Sequence, residues 1–299
     1  MTRLASAPFS APFGAALALA TAALAGAPGL ARANPDDLFA DAIFDPLTMD
    51  HHTPVSTLDA DFSYVAYDEP RDVDVTVMGI TIAGQYVTSR GVGGYLSIPM
   101  SYLAVDTPLN IFLPDDSALA LGNLEIGGLW SKFFGSETAL VLHAGLALPT
   151  ASDDEIAAYQ ALASSPRWGN FVERVPNSTW LRLGLSPMGR IGGKLFWRAD
   201  LGVDLALDED DPVTYSPVLR VNLGGGVDLG TAHLLAELVT NVLDTDPDTN
   251  DNAASTLAIG ARFLAGNLRP GIGIILPIDF NAQVLDPDFA ITLSLAARL

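Results

Sequence analysis

The chain ends on Phe289-Ala290-Ile291-Thr292-Leu293-Ser294-Leu295-Ala296-Ala297-Arg298-Leu299. Phe289, Ile291, Leu293, Leu295, Ala297 and Leu299 share one phase of a two-residue period. Thr292, Ser294 and Arg298 share the other, with Ala290 and Ala296 as small fillers. That period is a β-strand with one apolar and one wetter face. In water such an apolar edge invites association. If the strand closes a barrel instead, its edge pairs with the first strand and its apolar face meets lipid. The stretch predicts an all-β fold: a transmembrane antiparallel up-and-down β-barrel of the outer-membrane kind.

Working back from this terminus gives twelve strand candidates, at about 57–68, 73–88, 92–105, 121–134, 137–149, 178–188, 193–207, 215–229, 231–243, 254–265, 268–280 and 288–299. Their lengths suit tilted strands crossing a ~25 Å apolar band. The connections alternate. After the odd strands from the third on they are longer and acidic, as at 106–120, 150–177 and 244–253. After the even strands they are short and rich in Gly, as at Ser89-Arg90-Gly91, Gly135-Ser136 and Gly266-Asn267. Long loops outside and tight turns at the periplasm are the pattern of such a barrel, and two periplasmic termini require an even strand number.

The faces follow from the same period. In 193–207, Leu195, Trp197, Ala199, Leu201, Val203, Leu205 and Leu207 point one way, and Lys194, Arg198, Asp200 and Asp204 the other. A charge on the lipid face near the midplane costs about 2–4 kcal/mol, which assigns the charged face to the lumen. By the same phase Arg182, Arg220, His233, Glu237 and Arg262 face inward. The expected lumen or solute-pathway set is therefore Arg182, Lys194, Arg198, Asp200, Asp204, Arg220, His233, Glu237 and Arg262. Adjacent strands lie ~4.8 Å apart, so the basic members can form a stripe that selects anionic or aromatic solutes. They can equally close an internal ion-pair network with Asp200, Asp204, Asp228 and Glu237.

The amino terminus points to the same compartment. Arg3, the apolar run Phe13–Leu24 and Ala31-Arg32-Ala33 before Asn34 make residues 1–33 a secretory signal peptide, with an apolar core too short to span a membrane. Residues 34–56, rich in Asp and Pro, read as a periplasmic amino-terminal segment able to tuck into the barrel mouth, and 57–299 as the outer-membrane barrel. The expected localisation is the outer membrane of a Gram-negative cell, reached through the periplasm. Cleavage removes two of 15 basic residues and none of 35 acids, so the mature chain is more acidic than the formal −20 of the whole. That disfavours nucleic acid, which needs a basic surface. The absence of cysteine excludes disulfides, thiolate nucleophiles and thiolate metal sites.

Other motifs are weaker. Asp244 to Asp251 alternates oxygen ligands, but Thr249 and Ser255 stand where an EF-hand needs Gly and Glu. It reads, like Asp208-Glu209-Asp210-Asp211, as a solvated acidic loop. Ser152 and Glu155 form a capping box for a short loop helix over Asp153–Ala163, a candidate lid. His143 and His233 fall on the inward phase, and His51-His52 has no nearby ligand pattern. No G-x-S-x-G or H-E-x-x-H is present. No catalytic residue, metal or cofactor is implied. Gly224-Gly225-Gly226 has no following helix and serves close packing or a bend.

Leu121-Gly122-Asn123-Leu124-Glu125-Ile126-Gly127-Gly128, running on to Ala147-Leu148-Pro149-Thr150, resembles the meta-pathway of phenol degradation family of outer-membrane proteins. Asn123 stands where that family usually has Asp, and Ala151 where it has Gly. The resemblance implies a barrel that passes small, often aromatic or apolar, compounds, with no catalytic residues.

The expected function is an outer-membrane pore or facilitator for passive uptake of small molecules. Its partners are outer-membrane lipid and lipopolysaccharide, the barrel-assembly machinery and a small solute, with no nucleic acid. Two alternatives stay open: a closed structural or adhesive barrel whose acidic loops hold divalent ions, and a barrel hydrolase.

Overall fold

The computed structural model describes residues 44–67, 74–106, 116–151, 168–207, 217–243, 253–279 and 287–299. The signal-peptide stretch 1–33, the capping-box segment Asp153–Ala163 and the acidic runs 208–211 and 244–251 lie outside the described residues. No described helix is long and apolar enough to cross a membrane.

The chain folds as β1 (Thr57–Tyr67), β2 (Asp74–Val87), β3 (Val92–Asp106), β4 (Asp116–Leu121), β5 (Glu125–Phe134), β6 (Thr138–Ala147), β7 (Trp180–Ile191), β8 (Leu195–Ala206), β9 (Val218–Asp228), β10 (Ala232–Leu243), β11 (Ala253–Phe263), β12 (Leu268–Asp279) and β13 (Pro287–Arg298). Each strand pairs antiparallel with its neighbours, and β1 pairs with both β2 and β13, so the sheet closes on itself. The closing register runs from Thr57 opposite Arg298 to Ala66 opposite Phe289. Leu299 N extends it by donating to Ser56 O at 3.0 Å.

Both β4 and β5 pair with β3, so thirteen segments make twelve wall positions. The strand expected at 121–134 therefore starts earlier and is broken at residues 122–124. There Gly122 N donates to Pro99 O (2.8 Å) and Asn123 N to Glu173 O (2.6 Å), outside the regular ladder. The break admits a loop segment into the barrel.

The two faces separate as a lipid-embedded wall requires. Leu201 is 42% exposed while its neighbour Asp200 is 2% exposed. On β13, Phe289, Ile291 and Leu293 are exposed while Thr292 and Ser294 are buried. Left in water, each such outward side chain forgoes ~1.5–3 kcal/mol of burial; lipid removes that penalty. The tight connections share one rim. Their turns carry left-handed glycines, for instance Gly91 (φ 78°) and Gly230 (φ 86°), a conformation glycine adopts without a Cβ penalty. Ser56 and Leu299 meet at this same rim.

Two segments fill the interior. Residues 44–56 run into the lumen from the tight-turn rim, with Phe44, Leu47 and Met49 buried against Phe196, Leu235 and Val239. From the opposite rim, the 3₁₀ segment Trp168–Arg174 descends between the walls, where Val172 packs with Ala147, Trp180 and Val218. The two segments approach each other: a Cβ on Gly169 would lie 3.5 Å from the carbonyl oxygen of Thr48.

Candidate functional site

The inserted segment 44–56 is held at its centre by one carboxylate. Glu237, mid-strand on β10, accepts from Leu47 N (2.6 Å), Thr48 N (2.7 Å), Thr48 Oγ1 (2.8 Å) and Met49 N (3.1 Å). These are charge-assisted bonds in a buried setting, the strongest class available to a side chain. Arg262 on β11 donates to the carbonyls of Asp45 (3.0 Å) and Pro46, and to Arg269 O (2.7 Å). Arg298 reaches the Asp45 carboxylate at 2.7 Å.

The wall is cut back to glycine where the segment's apolar side chains rest. A Cβ on Gly224 would lie 2.6 Å from Phe44 Cζ and 2.8 Å from Met49 Sδ. Cβ atoms on Gly260, Gly271 and Gly273 would lie 2.6–3.0 Å from the δ-carbons of Leu47. Gly224, expected to serve close packing, does so for the inserted segment.

Beyond this seat lies a dense charge network. Arg220 bonds Asp50 and lies 3.0 Å from Asp204. Arg182 bonds Glu125 and reaches Glu173 and Asp204, both at 3.3 Å, with Asp50 at 3.6 Å. Arg198 pairs with Asp200 (2.8 Å) and donates to Asp50 O (2.7 Å). Buried ions persist only when paired in this way. Burial pushes the Asp50 carboxyl up, but Arg220 and Arg182, with His52 and His143, reverse this and hold it well below the usual range. Burial, then the charge of Glu125, pushes Glu173 up to about 8. Burial brings His52 down to about 4, against the pull of Asp50.

Beside the network, the His52 and His143 rings stack at 3.9 Å and 20°, and the Tyr95 ring meets His52 edge-on at 4.2 Å. Tyr95 OH donates to Glu125 Oε1 at 2.6 Å. His52 Nδ1 and both nitrogens of His143 are buried without a hydrogen-bond partner. Asp50, His52 and His143 each offer a donor atom within 4.8 Å of the others. A small cleft of about 20 Å³ adjoins them, lined by Asp50, His52, Asp59, Tyr95, Glu173 and Arg182 among others.

Of the residues singled out from sequence, Arg182, Arg198, Asp200, Asp204, Arg220, Glu237 and Arg262 lie buried in the interior. His233 also points inward but sits near the tight-turn rim, 3.8 Å from Asp228. Asp228 pairs there with Arg190 (2.5 Å) rather than with the central arginines. Lys194 is a correction. It is exposed in the turn before β8, because the strand starts at Leu195, and it joins none of these clusters. Sequence reasoning missed Asp45, Asp50, His52, Glu125, Glu173, Arg269 and Arg298. Glu125 and Arg298 carry the two-residue period that could have found them. Asp45, Asp50 and His52 lie in a segment without periodicity.

No protein-family model and no curated protein matches the chain. Among solved structures, the chain is similar to the COG4313 outer membrane channel from Pseudomonas putida F1, at 12% identity and a TM-score of 0.58, over 86% of this chain and all of that one. Lesser likenesses are to KdgM porin (8% identity, TM-score 0.45, 81% of this chain and 99% of that one) and to LpxR from Salmonella typhimurium (10% identity, TM-score 0.45, 82% of this chain and all of that one). The fold is that of an outer-membrane β-barrel.

Proposed function

We propose that the protein is an outer-membrane pore for small solutes, closed in this state by its own amino-terminal segment. One observation carries the reading. The inward groups of the wall are engaged by the backbone of a segment that is not part of the wall, seated over glycines that leave space for it. Inward side chains alone fill a barrel of about eight strands, so a twelve-strand wall leaves a lumen that another part of the chain must occupy to close it. A removable segment needs both the seat and polar groups able to rehydrate when it leaves.

The lumen left behind would be lined by Arg182, Arg198, Arg220, Asp200, Asp204 and Glu237. That lining supports small polar or charged solutes. The resemblance to the meta-pathway of phenol degradation family adds aromatic or apolar compounds as the finer reading. Insertion by the barrel-assembly machinery after a signal-peptide route, into a membrane with lipopolysaccharide, belongs to the same proposal. A hydrolase is less well supported, because neither nitrogen of His143 bonds a hydroxyl that could serve as nucleophile.

The test is planar-bilayer conductance of the full barrel against a variant lacking residues 44–56. The deletion variant should conduct steadily and the parent only in brief openings. Correct folding is checked by heat-dependent migration on a detergent gel. A folded variant that conducts no more than the parent even when residues 168–174 are removed as well would favour the sealed structural barrel.

A further inference from the structure

The geometry points to a site for one divalent transition-metal cation of the zinc type, formed by Asp50 and His52 of the inserted segment and His143 of β6. The site goes beyond the pore reading; only its consequence for opening rests on that reading.

Three observations meet here. The donor set is two imidazoles and a carboxylate, the ligand chemistry of zinc and its first-row neighbours rather than of calcium or magnesium. The three donor atoms already lie within 4.8 Å of one another. Ligands of a tetrahedral zinc ion sit about 3.4 Å apart, so an ion would draw the donors together by about 1 Å and turn the stacked imidazoles until both lone pairs meet it. Three imidazole nitrogens are buried without partners, an arrangement that costs free energy unless something occupies them.

The surroundings suit a cation. Asp50, Glu125, Asp200 and Asp204 are paired with Arg182, Arg198 and Arg220, so the network around the site carries no excess of positive charge to repel an ion. The outer contacts orient the ligands, as metal sites require. Arg220 fixes one oxygen of Asp50, while the other has only Arg182 at 3.6 Å. Tyr95, itself bonded to Glu125, holds the edge of His52. A Cβ on residue 184 would lie 2.2 Å from His143 Nε2, so Gly184 gives this ring its berth on the wall. The adjoining cleft, lined by Asp50 and His52, offers an approach for the ion and a place for a water as fourth ligand. The rival is a stacked pair of neutral histidines serving only as packing.

A bound ion would join two residues of the inserted segment to one of the wall. Anything that binds only the closed state stabilises it by mass action, so zinc would lengthen closure.

The test uses untagged, folded protein in detergent, stripped with chelator and titrated with Zn²⁺ alone, with Co²⁺ as the optical probe of ligand geometry. We expect one Zn²⁺ per chain at micromolar affinity or tighter. His52→Ala and His143→Ala should each weaken binding by roughly a hundredfold, with His51→Ala and His233→Ala as unaffected controls. His52 lies outside the wall, so its variant tests the ligand without touching barrel assembly. Absence of binding, binding unchanged by both variants, or several weak ions per chain would overturn the site. Conductance is read separately. Binding without longer closure would keep the site and count against the pore reading.

Discussion

Glu237 on β10 and Thr48 of the inserted segment are joined twice, Oε2 accepting from Thr48 N at 2.7 Å and from Thr48 Oγ1 at 2.8 Å. Leu47 N and Met49 N complete a four-donor cradle around the carboxylate. Glu237→Gln keeps the shape but replaces one accepting oxygen by an NH₂ that faces N–H donors. A hydrogen bond to a charged group contributes about 1.5–3 kcal/mol. The closed-to-open ratio should therefore fall at least about tenfold. Single-channel open fraction measures this, and an unchanged fraction would remove Glu237 as the latch.

Gly224 separates seat from wall. The nearest atoms to a Cβ there all belong to Phe44 and Met49, so Gly224→Ala strains the inserted segment and spares the sheet. Overpacking of this kind costs about 1–3 kcal/mol. The variant should open more often while keeping the gel migration of folded barrel. Adding Phe44→Ala should restore part of the closure, because the ring vacates its share of the clash while Met49 Sδ keeps the rest. A lowered gel-conversion temperature in Gly224→Ala, with the open fraction unchanged, would mean that residue 224 acts on the wall itself.

The barrel was legible because its cause is local. Alternation along β8 or β13 states which face each side chain takes, and lipid permits one answer. The inward phase of Arg182, Arg220 and Arg262 is therefore written in the chain. What each arginine meets is not, because a two-residue period carries no information about distance across a lumen. Asp50, which bonds Arg220, lies 170 positions away, in a stretch whose prolines and aspartates give no period. Lys194 shows the converse limit: it keeps the inward phase of β8 but lies beyond the strand's end, where phase ceases to define a face.

Glu173 gives the loop segment a pH dependence. Burial and then the charge of Glu125 hold its carboxyl at about 8, against the pull of Arg182. Undocked and hydrated, the same carboxyl would return to ~4.3. Below that pH it is protonated in both states and pH has no effect. From there to about 8 only the undocked form ionises, so rising pH favours undocking. Above 8 both forms are ionised and the trend levels off. Protease cleavage within 150–177 should thus quicken between about pH 5 and 8, and Glu173→Gln should flatten the profile. A profile as steep in the variant would assign the effect to another group.

Asn123 ties the same loop segment to the broken strand. Its Nδ2 donates to the carbonyls of Val175 (2.6 Å), Val172 (3.1 Å) and Ser178 (3.3 Å), while Oδ1 accepts from Ala151 N at 3.0 Å. Asn123, which precedes β5, and Ala151, which follows β6, are thus bonded to each other. Aspartate at 123 could still accept from Ala151 but has nothing to donate to three carbonyl oxygens. Asn123→Asp would turn a buried donor into a charge facing acceptors, at a cost of about 2–3 kcal/mol or more. The temperature at which the folded gel species converts to the unfolded one should fall, and the segment Trp168–Arg174 should become accessible to protease before the wall unfolds. Equal thermal conversion and equal protection would show that the loop is held without the Asn123 side chain, by Arg182, the backbone bond of Asn123 N to Glu173 O and the apolar contacts of Val172.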